Sequence, residues 1–341
     1  MEKRKFLKNS LAVAGAAAAS CIAGSLAAQE PIKLRISHFL SPTSHHHTKL
    51  FQPWAQRVEE DSGGRIKCEI FPSMQIGGKP PQSYDLARTG VADIAWALPG
   101  YTPGRFPISG VFELPFMTAK TAEGTSRAIW DFYNEHLQEE FKDVHLLATL
   151  CHAPGLVHTK DRLVRKMEDL RGMKIRLPTK PVGDALKLMG AIPVGMPLTE
   201  AYEALSRSVA EGVTLPWEAM RSLRLFELVK YHTTTDLYTT VFTIVMNKQK
   251  YESLPADLQA VIDKNSDTSF VSRTGRMFDD AELQGLQQAK ELGHGVGELP
   301  DAEKARWKQV TQPVVDAWIQ STPNGRTLYA EATRLIAKYR S

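Results

Sequence analysis

Arg176 sits in Lys174-Ile175-Arg176-Leu177-Pro178, an apolar strand pattern in which an aliphatic side chain would be the ordinary choice. A buried guanidinium needs a partner. Its two parallel N–H donors match a carboxylate bidentately, so an arginine at a strand end facing a cleft can clamp an organic acid. The same residue on an edge strand can instead pair with a surface carboxylate, and the pattern alone leaves both roles open.

The run His45-His46-His47 raises metal binding. Consecutive residues at the start of a helix point about 100° apart, however, and cannot all face one ion. A polar helix N-terminus with one histidine turned to a cleft is the plainer reading. The chain has no Gly-x-Ser-x-Gly elbow, no Cys-x-x-Cys pair, no His-Glu-x-x-His helix and no glycine fingerprint of a dinucleotide or phosphate loop. No metal and no cofactor is expected. The enzyme alternative is a hydrolase using a histidine from His45 to His47, or His152, with a serine brought near by folding.

Charge and targeting signals narrow the partners. The 341 residues carry a net charge of +4, of which the first 28 contribute +3. There, Lys3, Arg4, Lys5 and Lys8 precede an apolar, Ala-rich run from Leu11 to Ile22 and small residues around Ser25-Leu26-Ala27. This reads as a secretory leader, residues 1–28, cleaved near residue 27 or 28. Lys3-Arg4-Lys5-Phe6-Leu7-Lys8 also resembles the twin-arginine signal with Lys in place of the first Arg, which leaves the export route open. The remainder is near neutral and has no basic run, which argues against a nucleic-acid partner. No later apolar stretch approaches the roughly 20 residues of a membrane span. The expected product is a soluble periplasmic monomer whose partner is a small molecule. Cys68 and Cys151 are expected as two buried free thiols rather than a disulfide scaffold.

The elements that must position these residues follow from hydrophobic periodicity. Ile32 to Ser37 alternates as a strand, Leu50, Phe51, Trp54 and Val58 mark a helix stopped by Ser62-Gly63-Gly64, and Ile66 to Phe71 is a second strand. Pro80 to Arg88 is a short helix, and Asp93 to Ala97 a third, fully apolar strand. Such alternation predicts a parallel α/β sheet. Strand patterns recur at Val144 to Leu150, Leu156 to His158, Met173 to Leu177 and Tyr238 to Met246, and helical ones at Val182 to Met189 and Glu200 to Ser206. Pro255 to Leu292 reads as one long helix, long enough to span two lobes, before helices at Asp301 to Gln320 and Arg326 to Tyr339. In open α/β sheets ligands bind beyond the carboxyl ends of strands, so Phe39 to His47, Ala97 to Tyr101, His152 to His158 and Leu177 to Lys180 are where a site is expected.

The order and spacing of several short motifs decide between the roles of Arg176. Gly63-Gly64-Arg65-Ile66, Phe71-Pro72, Gly90-Val91-Ala92-Asp93-Ile94, Glu113-Leu114-Pro115-Phe116, Leu170-Arg171-Gly172-Met173-Lys174-Ile175-Arg176 and Glu200-Ala201-Tyr202-Glu203-Ala204-Leu205 follow one another along the chain. Together they resemble the DctP-like substrate-binding proteins of TRAP (tripartite ATP-independent periplasmic) transporters, over essentially the whole chain after the leader. The resemblance implies a two-lobed α/β binding-protein fold with a long helix spanning both lobes. It implies that Arg176 grips a ligand carboxylate. It also implies a pair of integral-membrane partner subunits driven by a sodium gradient. With that fold, one lobe is expected to comprise residues 29–153 and 242–281, and the other residues 154–241 and 282–341.

Departures from the family pattern bear on the ligand. Leu156 stands where sialic-acid-binding members have a second Arg, Leu215 precedes Pro216 where many have Asn, Glu211 replaces an Asp, and Phe39 occupies an often polar position after the first strand. Buried sugar hydroxyls would lack partners against such walls. A single carboxylate on an aromatic or otherwise apolar body fits better, with a sugar acid or a dicarboxylate as alternatives. The expected ligand-binding set is Arg176, Phe39, His45, Leu98, Tyr101, Leu156, Leu215, Trp217 and Phe242. Of the aromatic residues within reach of the cleft, Trp96 and Phe242 are equally readable as core residues pointing away.

Overall fold

The computed structural model describes residues 30–340, and the leader assigned to residues 1–28 lies outside that range. From the start the chain forms β1 (Ile32–Ser37), α1 (Gln52–Asp61), β2 (Ile66–Phe71), α2 (Ser83–Arg88), β3 (Ile94–Ala97), α3 (Ala122–His136) and β4 (Val144–Cys151). It continues through β5 (Leu156–Thr159), β6 (Lys174–Leu177), α4 (Lys180–Leu188), β7 (Ile192–Gly195), α5 (Ala201–Ser206), β8 (Gly212–Leu215), α6 (Trp217–Ser222) and β9 (Tyr231–Thr234). Last come β10 (Val241–Asn247), α7 (Lys248–Glu252), α8 (Ala256–Asn265), α9 (Thr268–Glu291), β11 (Gly295–Glu298), α10 (Asp301–Ser321) and α11 (Gly325–Lys338).

These strands form two sheets, in the orders β2-β1-β3-β10-β4 and β11-β9-β5-β8-β6-β7. Neither is purely parallel, which corrects the expectation from the strand and helix alternation. β10 runs antiparallel to β3 and β4, and β5 antiparallel to β8 and β9. The reason is connectivity: the chain leaves the first sheet along β4 and re-enters it along β10 directly alongside, with Cys151 opposite Val241, so the two must run in opposite senses. The short strands β7, β8, β9 and β11 escape the periodicity reading because glycine, proline or polar residues interrupt the apolar alternation in each. β7 even contains Pro193, which an edge strand tolerates.

Two of the segments that cross between the sheets tie to each other. Gly155 N–H donates to the Tyr238 carbonyl at 2.8 Å, the Thr239 hydroxyl to the His152 carbonyl at 2.7 Å and the Thr235 hydroxyl to the Gly155 carbonyl at 3.1 Å.

The long helix expected over Pro255 to Leu292 is two helices. Ser266 leaves the helical conformation, and Asp267 then caps α9 by accepting from Phe270 N–H at 2.9 Å. α9 packs against both α3, beside the first sheet, and α6, beside the second. Asp279 accepts from the N–H groups of Ala122 and Glu123 at the start of α3, and one turn later Glu282 accepts from those of Trp217 and Glu218 at the start of α6. Two glycines permit the approach: a Cβ at Gly275 would lie 2.4 Å from Glu123 Cα, and one at Gly285 2.6 Å from the Trp217 carbonyl oxygen. The last helix, α11, lies on α3, although the sequence grouped residues 282–341 with the second sheet.

Cys68 and Cys151 are both free. They stand on β2 and β4, the opposite edges of a five-stranded sheet, about 19 Å apart at ordinary strand spacing, which is beyond disulfide reach. Cys151 is buried as expected, whereas Cys68 is only half-buried, because edge strand β2 keeps that face partly open.

Candidate functional site

A cavity lies where the carboxyl ends of strands from both sheets meet the crossing segments. Its atom-free space, open solvent at the mouth included, is about 460 Å³. Phe39, Leu40, Trp96, Leu98, Leu198, Leu215, Phe242 and Phe278 give it apolar walls. Against these stand a few polar groups: Arg176, Tyr101, Tyr238, His46, His152, Thr240 and Glu218. A tight apolar enclosure with few polar groups is the pattern of a small-molecule site.

Arg176 is 1 % exposed, and no described carboxylate pairs with it. The end of β6 aims it inward: Nε and Nη2 donate to the Met196 carbonyl at 3.1 and 2.8 Å, while Nη1 is buried without a partner among the described residues. Beside it, the Tyr101 hydroxyl accepts from Leu198 N–H at 2.9 Å, and the Tyr238 hydroxyl is buried with no partner among the described residues. Burial pushes both tyrosine pKa values up, and the Arg176 charge pulls them back. An unpaired cation in an apolar enclosure is costly, and an arriving carboxylate would relieve it.

From that end a wall of rings runs from Tyr238 to His152, Phe242 and His46, with centroid steps of 5.3, 5.9 and 6.3 Å. Trp96 closes on Phe242 at 4.8 Å and on His46 at 5.1 Å. Burial lowers the His152 pKa to about 4, so the ring is neutral. Its Nδ1–H donates to the Ala153 carbonyl, and its Nε2 accepts from the Thr240 hydroxyl at 3.1 Å. At the other end of the wall, Glu218 Oε1 faces His45 Nδ1 at 3.7 Å and His46 Nδ1 at 3.9 Å, both too long for a hydrogen bond. Burial lowers the His46 pKa, with Glu218 opposing. Burial also works against the Glu218 charge, but the facing imidazoles outweigh it and hold its pKa below the ordinary carboxylate value.

Of the residues expected at a site, Arg176, Phe39, Leu98, Tyr101, Leu215 and Phe242 line this cavity, and Trp96 joins them. Three do not. His45 opens onto a surface depression with Lys49, Arg273 and Arg276, because the helical rotation from one residue to the next gives the inward position to His46. Leu156 is buried in the core of the second sheet with Ala201, Ala204 and Val213. Trp217 packs into the same core, its ring against Phe226 at 6.2 Å and His232 at 4.9 Å. Sequence reading missed Tyr238, Thr240 and Phe278 as lining residues. Away from the cavity, Glu135, His136 and Glu331 place ligand-type atoms within 4.8 Å of one another, but both Glu331 oxygens already accept from Arg334.

A family model for bacterial extracellular solute-binding proteins, family 7 (DctP), matches residues 36–321. The chain belongs to this family. It is a TRAP-type solute-binding protein with the two-lobed fold of that class. A TRAP solute-binding protein from Rhodoferax ferrireducens T118, solved with copurified benzoate, is 40 % identical with a TM-score of 0.87, covering 90 % of this chain and 98 % of its own. A marine metagenome TRAP solute-binding protein specific for aromatic acid ligands, solved with 3-hydroxybenzoate, is likewise 40 % identical, with a TM-score of 0.88 over 92 % and 100 % of the two chains. The C4-dicarboxylate-binding periplasmic protein DctP of Rhodobacter capsulatus is 26 % identical over 89 % of this chain and 92 % of its own. Members act in transport as binding proteins outside the cytoplasm, and no helix among the described residues is long and apolar enough to cross a membrane.

Proposed function

We propose that this TRAP binding protein captures a small aromatic monocarboxylate in the periplasm, after loss of the leader, and delivers it to an integral-membrane pair of partner subunits. The observation that carries this reading is Arg176 Nη1, a buried donor on an unpaired cation at one end of an aromatic cavity. A carboxylate would accept from Arg176 Nη1 and from the Tyr238 hydroxyl, and the ring would lie along Phe242 and Trp96. The benzoate and 3-hydroxybenzoate bound by the two relatives at 40 % identity support the same ligand class.

The cavity is sealed around these polar atoms, so the ligand enters while the lobes stand apart and closure follows. The crossing segments 152–155 and 235–240 act as the hinge. The lobes divide as the two sheets do, with α11 travelling with the first because it lies on α3.

A dicarboxylate, the ligand class named for the Rhodobacter capsulatus relative, would set its second charge against Glu218, with no second Arg or Lys among the lining residues. A sugar acid would bury most of its hydroxyls against leucine and phenylalanine. A hydrolase working through His152 would set its base on Thr240, but the Ala153 carbonyl, not a carboxylate, orients that ring.

Calorimetry with benzoate, hydroxybenzoates, galactonate and succinate tests the reading. One-to-one binding of an aromatic acid that is recovered unaltered, and lost in Arg176→Met, is the expected result. Tight binding of galactonate or succinate without any aromatic acid would overturn it.

A further inference from the structure

We propose that Glu218 and His46 form a second recognition point in the cavity, reading a hydroxyl group carried by the ligand at the end remote from its carboxylate. This rests on the aromatic-acid reading and sharpens it from benzoate-like acids in general to hydroxylated ones.

The geometry has three parts. Glu218 is 3 % exposed and His46 5 %, yet Glu218 Oε1 and His46 Nδ1 both lack hydrogen-bond partners among the described residues. They face each other across 3.9 Å, a gap that one hydroxyl oxygen can span at ordinary hydrogen-bond lengths from both. A hydroxyl suits this pair because it donates to the carboxylate and accepts from an imidazole N–H at once. Finally, the pair is displaced from Arg176 along the ring wall from Tyr238 through His152 and Phe242, and Glu218 makes no ion pair with Arg176. A ligand gripped at its carboxylate by Arg176 and laid along that wall would bring a substituent toward Glu218. His46 is held for this by edge contacts to Trp96 and Phe278 at 5.1 and 5.0 Å. Glu218 is held by the Glu282 carboxylate, which accepts from its backbone N–H at 2.8 Å.

The depressed Glu218 pKa fits an acceptor that stays ionised at neutral pH. An unsubstituted acid leaves both polar atoms unsatisfied in the closed cavity, which is the condition under which a site rejects an analogue lacking the group it is built to bind.

Calorimetry of the full exported chain with benzoate, 3- and 4-hydroxybenzoate and the matching fluorobenzoates tests the proposal, since fluorine resembles a hydroxyl in size but donates nothing. At least one hydroxybenzoate is expected to bind about 10- to 100-fold more tightly than its fluoro counterpart. In Glu218→Met that gap is expected to close, because the hydroxy acid loses its acceptor while benzoate no longer buries an unsatisfied carboxylate, and the melting temperature of the variant without ligand reports that it is folded. Equal affinities in the unmutated protein, or a gap that persists in Glu218→Met, would overturn the proposal. So would benzoate binding that requires added sodium or calcium and loses that requirement in Glu218→Met, because Glu218 would then be holding a cation. If no aromatic acid binds, the ligand class is wrong rather than the subsite. Butyrate against 4-hydroxybutyrate then makes the same comparison, with equal affinities counting against the subsite.

Discussion

Arg176 donates twice to a single acceptor, the Met196 carbonyl, from Nε at 3.1 Å and Nη2 at 2.8 Å. This pair of hydrogen bonds to the backbone fixes the plane of the guanidinium and leaves Nη1 buried with no partner among the described residues. The unliganded protein therefore carries an incompletely satisfied buried cation. Arg176→Met should leave the melting temperature of the unliganded protein unchanged or higher, since replacing a poorly paired buried charge by an apolar side chain is often stabilising. The same variant should lose the rise in melting temperature that an aromatic acid gives the unmutated protein. Arg176→Lys should weaken binding by about 1.5–3 kcal/mol, because an ammonium cannot hold Met196 and a carboxylate with one planar fork. Scanning calorimetry with and without benzoate checks both. A destabilised, unfolded Arg176→Met variant would assign the residue to folding instead.

Arg176 was legible in the sequence because a charge between Ile175 and Leu177 breaks an apolar pattern, and that break survives folding. Phe39, Leu98 and Leu215 were legible because strand ends are where ligands sit. The errors at the site have one physical source, the phase of a side chain about its own element. His45 and His46 are equivalent in sequence, and a single helical step sends one outward and the other to Trp96. Trp217 and Glu218 are likewise adjacent, yet Trp217 turns into the core and Glu218 into the cavity. Tyr238 and Thr240 were read into the strand pattern Tyr238 to Met246, but the strand begins at Val241 and both belong to a crossing segment, so strand alternation does not give their direction. The antiparallel entry of β10 depends on its pairing with β4, which lies far away in the chain. Local signals do record the break before α9: Asp267 is a good N-cap, but apolar spacing runs on across it.

Stability should fall on the acid side of neutrality. Burial lowers the pKa of His38 to about 3 and of His152 and His158 to about 4, below the ordinary histidine value of 6.5, so each is neutral when folded. An unfolded chain binds those protons near pH 6.5. The stabilising contribution is therefore complete above pH 6.5 and is lost as pH falls towards 4. Three such groups give a steep dependence, up to about 4 kcal/mol per pH unit in the middle of that window. Melting temperatures measured from pH 7 to pH 4.5 should drop continuously, and His152→Gln should flatten the slope. Glu113 and Glu282, whose raised pKa values give the opposite slope over the same window, reduce the net drop, so the test is the difference: equal slopes in the unmutated protein and His152→Gln would show that the ring is protonated without cost.

The alkaline side has its own signature. Glu113 is 3 % exposed and abuts the Gly100 backbone, and burial pushes its carboxyl up to about 8 despite the Val241 N–H that donates to it at 3.1 Å. An acid whose pKa is raised on folding stabilises while protonated, so its contribution is present below about 4.5 and lost as pH rises through 8. Glu113→Gln keeps an acceptor for Val241 and removes the ionisation. The variant should overtake the unmutated protein in stability between pH 6 and 8, by on the order of 1–2 kcal/mol. Glu282, also pushed up to about 8 by burial, leaves a residual slope of the same sign. Denaturant unfolding at pH 6, 7 and 8 checks this, and parallel profiles for the two proteins would count against it.

Helix α9 couples the lobes through residues one turn apart, Asp279 at the start of α3 and Glu282 at the start of α6, and the α6 contact also sets where Glu218 stands. Gly285 is what lets α9 approach α6, since a Cβ there would fall 2.6 Å from the Trp217 carbonyl oxygen and 2.7 Å from Trp217 Cβ. Neither neighbour is the far end of a flexible side chain, so Gly285→Ala must push α6 away or bend α9. The expected cost is about 1–3 kcal/mol of stability, together with weaker ligand binding because Glu218 and the Leu215 to Ala219 wall shift with α6. Leu283→Ala, on the exposed face of the same helix, should change neither. Paired unfolding and titration experiments on the two variants separate the explanations. If Gly285→Ala loses stability but binds normally, α9 holds the lobes together without positioning the site.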